Sequence, residues 1–210
     1  MQENLDQNGT IGHKMLHKED QYTRIFMINP NGISMNNEAE QYQEICDHMN
    51  QHDINFFGCS EHNLDTTQHT VQYNLKNITH TAFSSSSLQL SSSPIPAKHF
   101  YKPGGTLCIT QGDINSRKID QGADKYGRWS YIKFAAHNST VITVITAYKP
   151  CVVTKTTDIT TYHQQLALHQ AETNNTINPW KAFTRDLIKW MQLGHRKGEN
   201  SYWGVTLMNH

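Results

Sequence analysis

Two short apolar runs on either side of an amphipathic stretch constrain this chain more than anything else in it. Residues 24–29 (RIFMIN) and 54–59 (INFFGC) each read as a strand of nearly continuous apolar character. That is the pattern of a strand covered on both faces. Between them, Ala39, Tyr42, Ile45, Cys46 and Met49 recur at three- and four-residue spacing within residues 38–51, which predicts a helix with one buried stripe. A strand–helix–strand unit delivers both strand ends to one edge of a sheet. Each run leads to a group suited to metal or phosphate chemistry, Asn29 after the first and Glu61 after the second.

The rest of the chain alternates in the same way. Asp65 predicts a helix cap for residues 65–77, with Val71 and Leu75 inward. The serine-rich stretch 84–93, followed by Pro94 and Pro96, reads as a surface loop. Pro103-Gly104-Gly105 turns the chain into a strand at 106–110, and the polar, glycine-containing segment 111–127 reads as a long loop or ragged hairpin. Residues 129–136 and 140–148 read as an antiparallel pair rich in β-branched and aromatic residues. Two helices are predicted next. One covers 161–173; the other opens at Asn178-Pro179, a cap followed by proline at the first helical position, with the stripe Trp180, Phe183, Leu187, Trp190 and Met191. A final buried strand is expected at 203–208. Strands in mixed parallel and antiparallel order with helices between them predict an α/β (α+β) protein, a two-sheet sandwich. Residues 1–21 read as a polar, disordered lead-in, and 22–210 as one domain.

Composition narrows the functional classes. Lys and Arg total 18, as do Asp and Glu, so no global field draws the chain to polyanions, although a local patch remains open. No run approaches membrane-spanning length and no signal-peptide core is present at the start, so no membrane association is expected. The cysteines at 46, 59, 108 and 151 form no C-x-x-C pair, which favours a reduced, intracellular setting over a disulfide framework.

Five motifs in order carry a family resemblance: Asn29-Pro30-Asn31-Gly32, Ser60-Glu61 at a strand end, Gly104-Gly105-Thr106, Gly127-Arg128-Trp129 and Tyr148-Lys149-Pro150. Together they resemble the endonuclease/exonuclease/phosphatase superfamily, and within it the endonuclease domains of non-LTR retrotransposons, which resemble apurinic endonucleases. The resemblance runs from about Arg24 to Met208 and implies a DNase I-like sandwich. It implies that Glu61 binds Mg²⁺ (or Mn²⁺) with help from Asn29, that Tyr148 reaches the phosphate, and that an activated water hydrolyses a phosphodiester in DNA. Asn29, Glu61 and Tyr148 are therefore the candidate catalytic residues, with Glu61 and Asn29 as metal residues. No small-molecule cofactor is expected, and a retroelement would imply a nuclear setting. Arg128 and Trp129 read as a packing pair at a strand entry.

The sequence departs from the family in two places. The family's G-D-x-N motif after Y-x-P, and its closing Asp-His pair, do not occur there. The one G-D-x-N, at Gly112–Asn115, precedes Tyr148 and reads as turn residues. The expectation is a domain lacking its C-terminal part, impaired in catalysis. Alternatives are a catalytically inactive remnant and a phosphatase of the same superfamily.

Overall fold

Side-chain alternation along the strands decides how this chain is layered. The computed structural model describes residues 18–19, 21–35, 39–95, 101–152, 160–173, 177–196 and 201–208, the last by backbone path. In chain order the elements are β1 (Ile25–Ile28), α1 (Glu40–Gln51), β2 (Phe56–Ser60), α2 (His69–Ala82), β3 (Ser86–Ser91), β4 (Thr106–Gln111), the single turn α3 (Asp113–Ser116), β5 (Lys118–Ala123), β6 (Trp129–Ala135), β7 (Val141–Tyr148), α4 (Thr161–Thr173), α5 (Pro179–Arg196) and β8 (Ser201–Met208). They build two four-stranded sheets, β1-β2-β4-β3 and β5-β6-β7-β8. The pairs β1–β2 and β7–β8 are parallel and the others antiparallel.

Phe56, Cys108, Ile132, Phe134 and Val144 fill the space between the sheets. Gly58 faces the second sheet closely, and a Cβ there would come within 2.3 Å of Thr146 Oγ1. The opposite face of the first sheet presents Phe57, Cys59, Leu107 and Ile109 to Tyr42, Cys46 and Met49 of α1 and to Val71 and Leu75 of α2. The opposite face of the second presents Trp129, Ile145 and Ala147 to Phe183 and Leu187 of α5. The order is helix, sheet, sheet, helix: the two-sheet α/β sandwich expected from the sequence.

Several local expectations are corrected. β1 is not covered on both faces. It lies at a sheet edge among the described strands, and Ile25 and Ile28 are exposed. Pro30 has no N–H to extend the ladder, so the strand stops before it. The serine-rich stretch is not a surface loop. It contains β3, because Leu88 and Leu90 pack on the core while Ser87 and Ser91 turn inward, and antiparallel pairing with β4 satisfies its backbone. Asp65 does not cap α2, which starts at His69 and runs to Ala82. That carboxylate is buried and bound to Lys102 at 2.5 Å. Segment 111–127 resolves into α3 and β5, the latter hairpinned onto β6. Trp180 falls outside the buried stripe of α5 and is 42% exposed, its place taken by Ala182. The lead-in at 1–21 falls almost wholly outside the described residues, as do the side chains of the last strand.

Candidate active-site cleft

Pleating brings the candidate residues to one rim. Along β7, Val144 and Thr146 face the first sheet, so Tyr148, two residues on, faces the same way. Along β1, Met27 faces the second sheet, and Asn29 follows in the same phase. Along β2, Phe56 and Gly58 face the second sheet and Ser60 continues them. Glu61 would point the other way, but its backbone is left-handed, φ +57°, and the carboxylate turns back to the rim.

There Asn29 Nδ2 donates to Glu61 Oε2 at 2.6 Å, and Asn29 Oδ1 accepts the Asn31 N–H at 2.9 Å. The Tyr148 hydroxyl lies beside the Glu61 carboxylate and Thr161, which line the same cleft. Burial first, and the Glu61 carboxylate second, hold the Tyr148 phenol far above its usual pKa, so it is a neutral donor at physiological pH. Three side chains remote in sequence, from two sheets, thus meet at one point. Tyr148 is further fixed by its N–H, which donates to the Arg128 carbonyl at 2.8 Å.

Sequence reasoning missed the groups that hold this rim. The Glu61 N–H donates to Gly105 O at 2.8 Å, the Asn63 N–H to Gly104 O at 2.9 Å and the Lys102 N–H to Asn63 O at 2.8 Å, so residues 61–63 are laced to 102–105. Asn63 Oδ1 accepts the Gly104 N–H at 2.7 Å. His62 is fully buried below, its Nε2 2.9 Å from Ser91 O and its Nδ1 accepting the Leu64 N–H at 2.9 Å. Burial, with the Lys102 charge nearby, lowers its pKa to about 4. Lys102 pairs with Asp65 and also donates to Ser93 O at 2.7 Å. The visible signal was the Gly104-Gly105 pair. A Cβ on Gly105 would lie 2.4 Å from His62 Cε1, and one on Gly104 2.6 Å from Thr161 Oγ1.

The rim opens into a cleft of about 390 Å³ whose walls include Asn31, Glu61, Asn63, Tyr101, Tyr148 and Tyr162. At its head stand the Glu61 carboxylate and the Tyr148 hydroxyl, with the Asn29 amide bonded to the carboxylate behind them. This all-oxygen set suits a hard divalent cation such as Mg²⁺, which takes one or two protein carboxylates and completes its shell with water and phosphate. Among the described residues no three of His, Cys, Asp and Glu cluster where they could hold a metal ion, so a cation here would rest on Glu61 as its one carboxylate. His48 and His52, four apart at the end of α1, bring their rings to 4.4 Å without a third such ligand.

The other motifs lie elsewhere. Gly112–Asn115 follows the far end of β4 from the Ser60–Thr106 pair that borders the cleft, about 17 Å along the strand. Asn115 ties Ser87, Thr110 and Ser85 together, and Asp113 is exposed. Arg128 is 1% exposed, with Nε 2.6 Å from Asp124 and Nη1 2.9 Å from Asp186. Its contacts are those of a packing residue, extended by two carboxylates the sequence did not suggest.

No family model matches the sequence, and no curated protein matches it. Solved structures similar to the chain include an endonuclease/exonuclease/phosphatase family protein from Leptotrichia buccalis (12% identity, TM-score 0.42, covering 74% of this chain and 64% of that one). An AP endonuclease from Archaeoglobus fulgidus (13% identity, TM-score 0.43) matches over 71% of this chain and 49% of its own. A mannosyl-6-phosphatase from Bacteroides thetaiotaomicron (12% identity, TM-score 0.47) matches over 89% of this chain and 64% of its own. The chain spans about half to nearly two thirds of the length of these structures.

Proposed function

We propose that the Glu61 cleft serves divalent-cation-dependent hydrolysis of phosphodiester bonds in DNA, as the motif resemblance implies, and that the chain is of the retrotransposon endonuclease type. The observation that carries this reading is the convergence of Asn29, Glu61 and Tyr148 from both sheets on one oxygen-lined rim. Glu61, with Asn29 beside it, would hold Mg²⁺ or Mn²⁺. When bound, the ion supplies Lewis-acid polarisation of a phosphoryl oxygen and stabilisation of the leaving oxyanion. The protein's part is positional. Asn29 Nδ2 fixes the Glu61 rotamer, and the Tyr148 phenol, kept neutral, has a proton to donate to a phosphate oxygen.

This chain has neither G-D-x-N after Tyr148 nor the Asp-His pair. The groups that orient and deprotonate the attacking water in the family are thus missing from these residues. Losses among such cooperating groups cost several orders of magnitude in rate, so turnover by these 210 residues is expected to be slow.

The test pairs activity with metal binding. Supercoiled plasmid is incubated with the protein in Mg²⁺, and Mn²⁺ affinity is read by electron paramagnetic resonance. Glu61→Gln is expected to abolish the residual nicking and to weaken Mn²⁺ binding at least tenfold. Equal nicking and equal Mn²⁺ affinity in both proteins would remove the assignment.

A further inference from the structure

The zero net charge of the chain conceals a separation of charge between its outer layers. On one side, α1 bears Glu40, Glu44 and Asp47 and neither Lys nor Arg. On the other, α5 bears Lys181, Arg185, Lys189 and Arg196 against the single acid Asp186. Asp186 is already engaged, 2.9 Å from both Arg128 and Arg185.

The four basic residues share one face. Ala182, Phe183 and Leu187 turn α5 onto the second sheet, which leaves Lys181, Arg185, Lys189 and Arg196 exposed within an arc of about 80° at 3.6 residues per turn. Consecutive members of the Lys181, Arg185, Lys189 series rise by about 6 Å, comparable with the step between successive backbone phosphates. Among the described residues neither Lys181 nor Lys189 has an acidic partner. The stripe begins beside the residue that follows Tyr148 of the cleft wall. Lys149, next to Tyr148, sets its Nζ 3.4 Å from the centroid of the half-exposed Trp180 ring, and Lys181 follows.

We propose that this face of α5 is a track for a single-stranded nucleic-acid arm leaving the Glu61 cleft, with Lys181, Arg185, Lys189 and Arg196 meeting phosphates and Trp180 offering a stacking surface to one base. The inference rests on the reading of the cleft as a phosphodiesterase site. A row of cations one side chain wide, headed by an exposed aromatic ring, suits a flexible strand with unpaired bases. A lipid surface fits less well. Membrane-lying helices bury a continuous apolar face in the bilayer, whereas Phe183 and Leu187 of α5 are already buried on the second sheet and its exposed aliphatics, Ile188 and Leu193, stand on opposite flanks of the stripe.

Binding is measured without chemistry, by fluorescence anisotropy of a labelled oligothymidylate in EDTA across a salt series. The wild-type protein is expected to bind with a negative log–log salt slope. The double variant Lys181→Gln/Lys189→Gln is expected to lose about 1.4 from that slope and roughly ten- to thirtyfold in affinity at about 0.1 M salt. Trp180→Ala is expected to lose roughly tenfold in affinity with the slope unchanged. Circular dichroism checks that each variant is folded. The proposal is overturned if wild type does not bind, if the double variant keeps its affinity and slope, or if a duplex of matched length binds as tightly through the same lysines. Lysine-dependent binding to phosphatidylserine vesicles without oligonucleotide binding overturns it as well. Failure of plasmid nicking with the salt slope intact would count against the cleft reading alone, and a lost slope with nicking intact against the track alone.

Discussion

Glu61 occupies a left-handed backbone conformation that costs a residue of its type on the order of 1–3 kcal/mol, and it persists only because the surroundings over-determine it. Its own N–H is tied to Gly105, its carboxylate to Asn29, and the residue after it, His62, is locked at both ring nitrogens. His62 carries a pH prediction. With Nδ1 accepting from Leu64, Nε2 is the protonated nitrogen, and a second proton would destroy one of the two bonds. The folded pKa of about 4 lies below the ordinary histidine value of about 6.5, so the unfolded chain takes up a proton first as pH falls. The stability that neutral His62 confers is therefore complete above about pH 6.5 and drains away between about 6.5 and 4, by roughly 3 kcal/mol in total. Urea denaturation at intervals from pH 7.5 to 4 should show this decline in wild type, and a flatter profile in His62→Gln. Parallel profiles for the two proteins would mean that some other group is responsible.

At the scale of elements, the stretch leading into β4 is decided by two glycines, and Gly105 is the more restrictive. Its φ is +84°, and a Cβ would meet the His62 ring at 2.4 Å and the Ser91 carbonyl at 2.9 Å, neither of which has room to withdraw. Gly105→Ala should therefore cost more than about 2 kcal/mol, conformational strain and overpacking together. Gly112→Ala is the control. That residue sits at φ +72°, ψ −151°, backbone that only glycine adopts readily, but a Cβ there meets nothing closer than 3.8 Å, so the conformational cost alone, about 1–3 kcal/mol, is expected and Gly105→Ala should exceed it. Thermal unfolding of the two variants checks the difference, and equal shifts would show that packing against His62 is not the cause. The same contrast explains what could be read in advance. α4 spans 161–173 as its sequence suggested, and Asn178 caps α5, its Oδ1 accepting the Trp180 N–H at 2.9 Å, because these signals lie within a few residues of one another. β3 was illegible because serine has little strand preference, and its ladder depends on β4, twenty residues further on. Asp65 looked like a cap because its partner, Lys102, is remote in sequence. The rim followed the same rule: Asn29, Glu61 and Tyr148 stood in recognisable motifs, whereas the residues bracing them were ordinary polar side chains paired at long range.

At the scale of the whole molecule, Arg128 joins parts that no single motif connects. Its guanidinium binds Asp124 of the β5–β6 turn and Asp186 of α5, and lies 4.7 Å from the ring centroids of both Tyr126 and Trp129. Its carbonyl accepts the Tyr148 N–H at the cleft. Burial opposes its charge, but the two carboxylates outweigh that and hold its pKa above the usual value. One side chain thus ties the second sheet, the outer helical layer and the rim together. Removing only the cation strands the buried Asp124, 7% exposed, without an ionic partner and leaves Asp186, 24% exposed, with Arg185 alone. Arg128→Met is therefore expected to destabilise the protein by about 3–5 kcal/mol. Neutralising the acids as well, in Arg128→Met/Asp124→Asn/Asp186→Asn, should return more than half of that loss, because an ion cluster replaced as a unit leaves no stranded charge. Urea unfolding of wild type, the single variant and the triple variant measures both quantities. If the triple variant proves less stable than the single one, Arg128 acts through its packing on Tyr126 and Trp129, and the charge cluster is not what joins the layers.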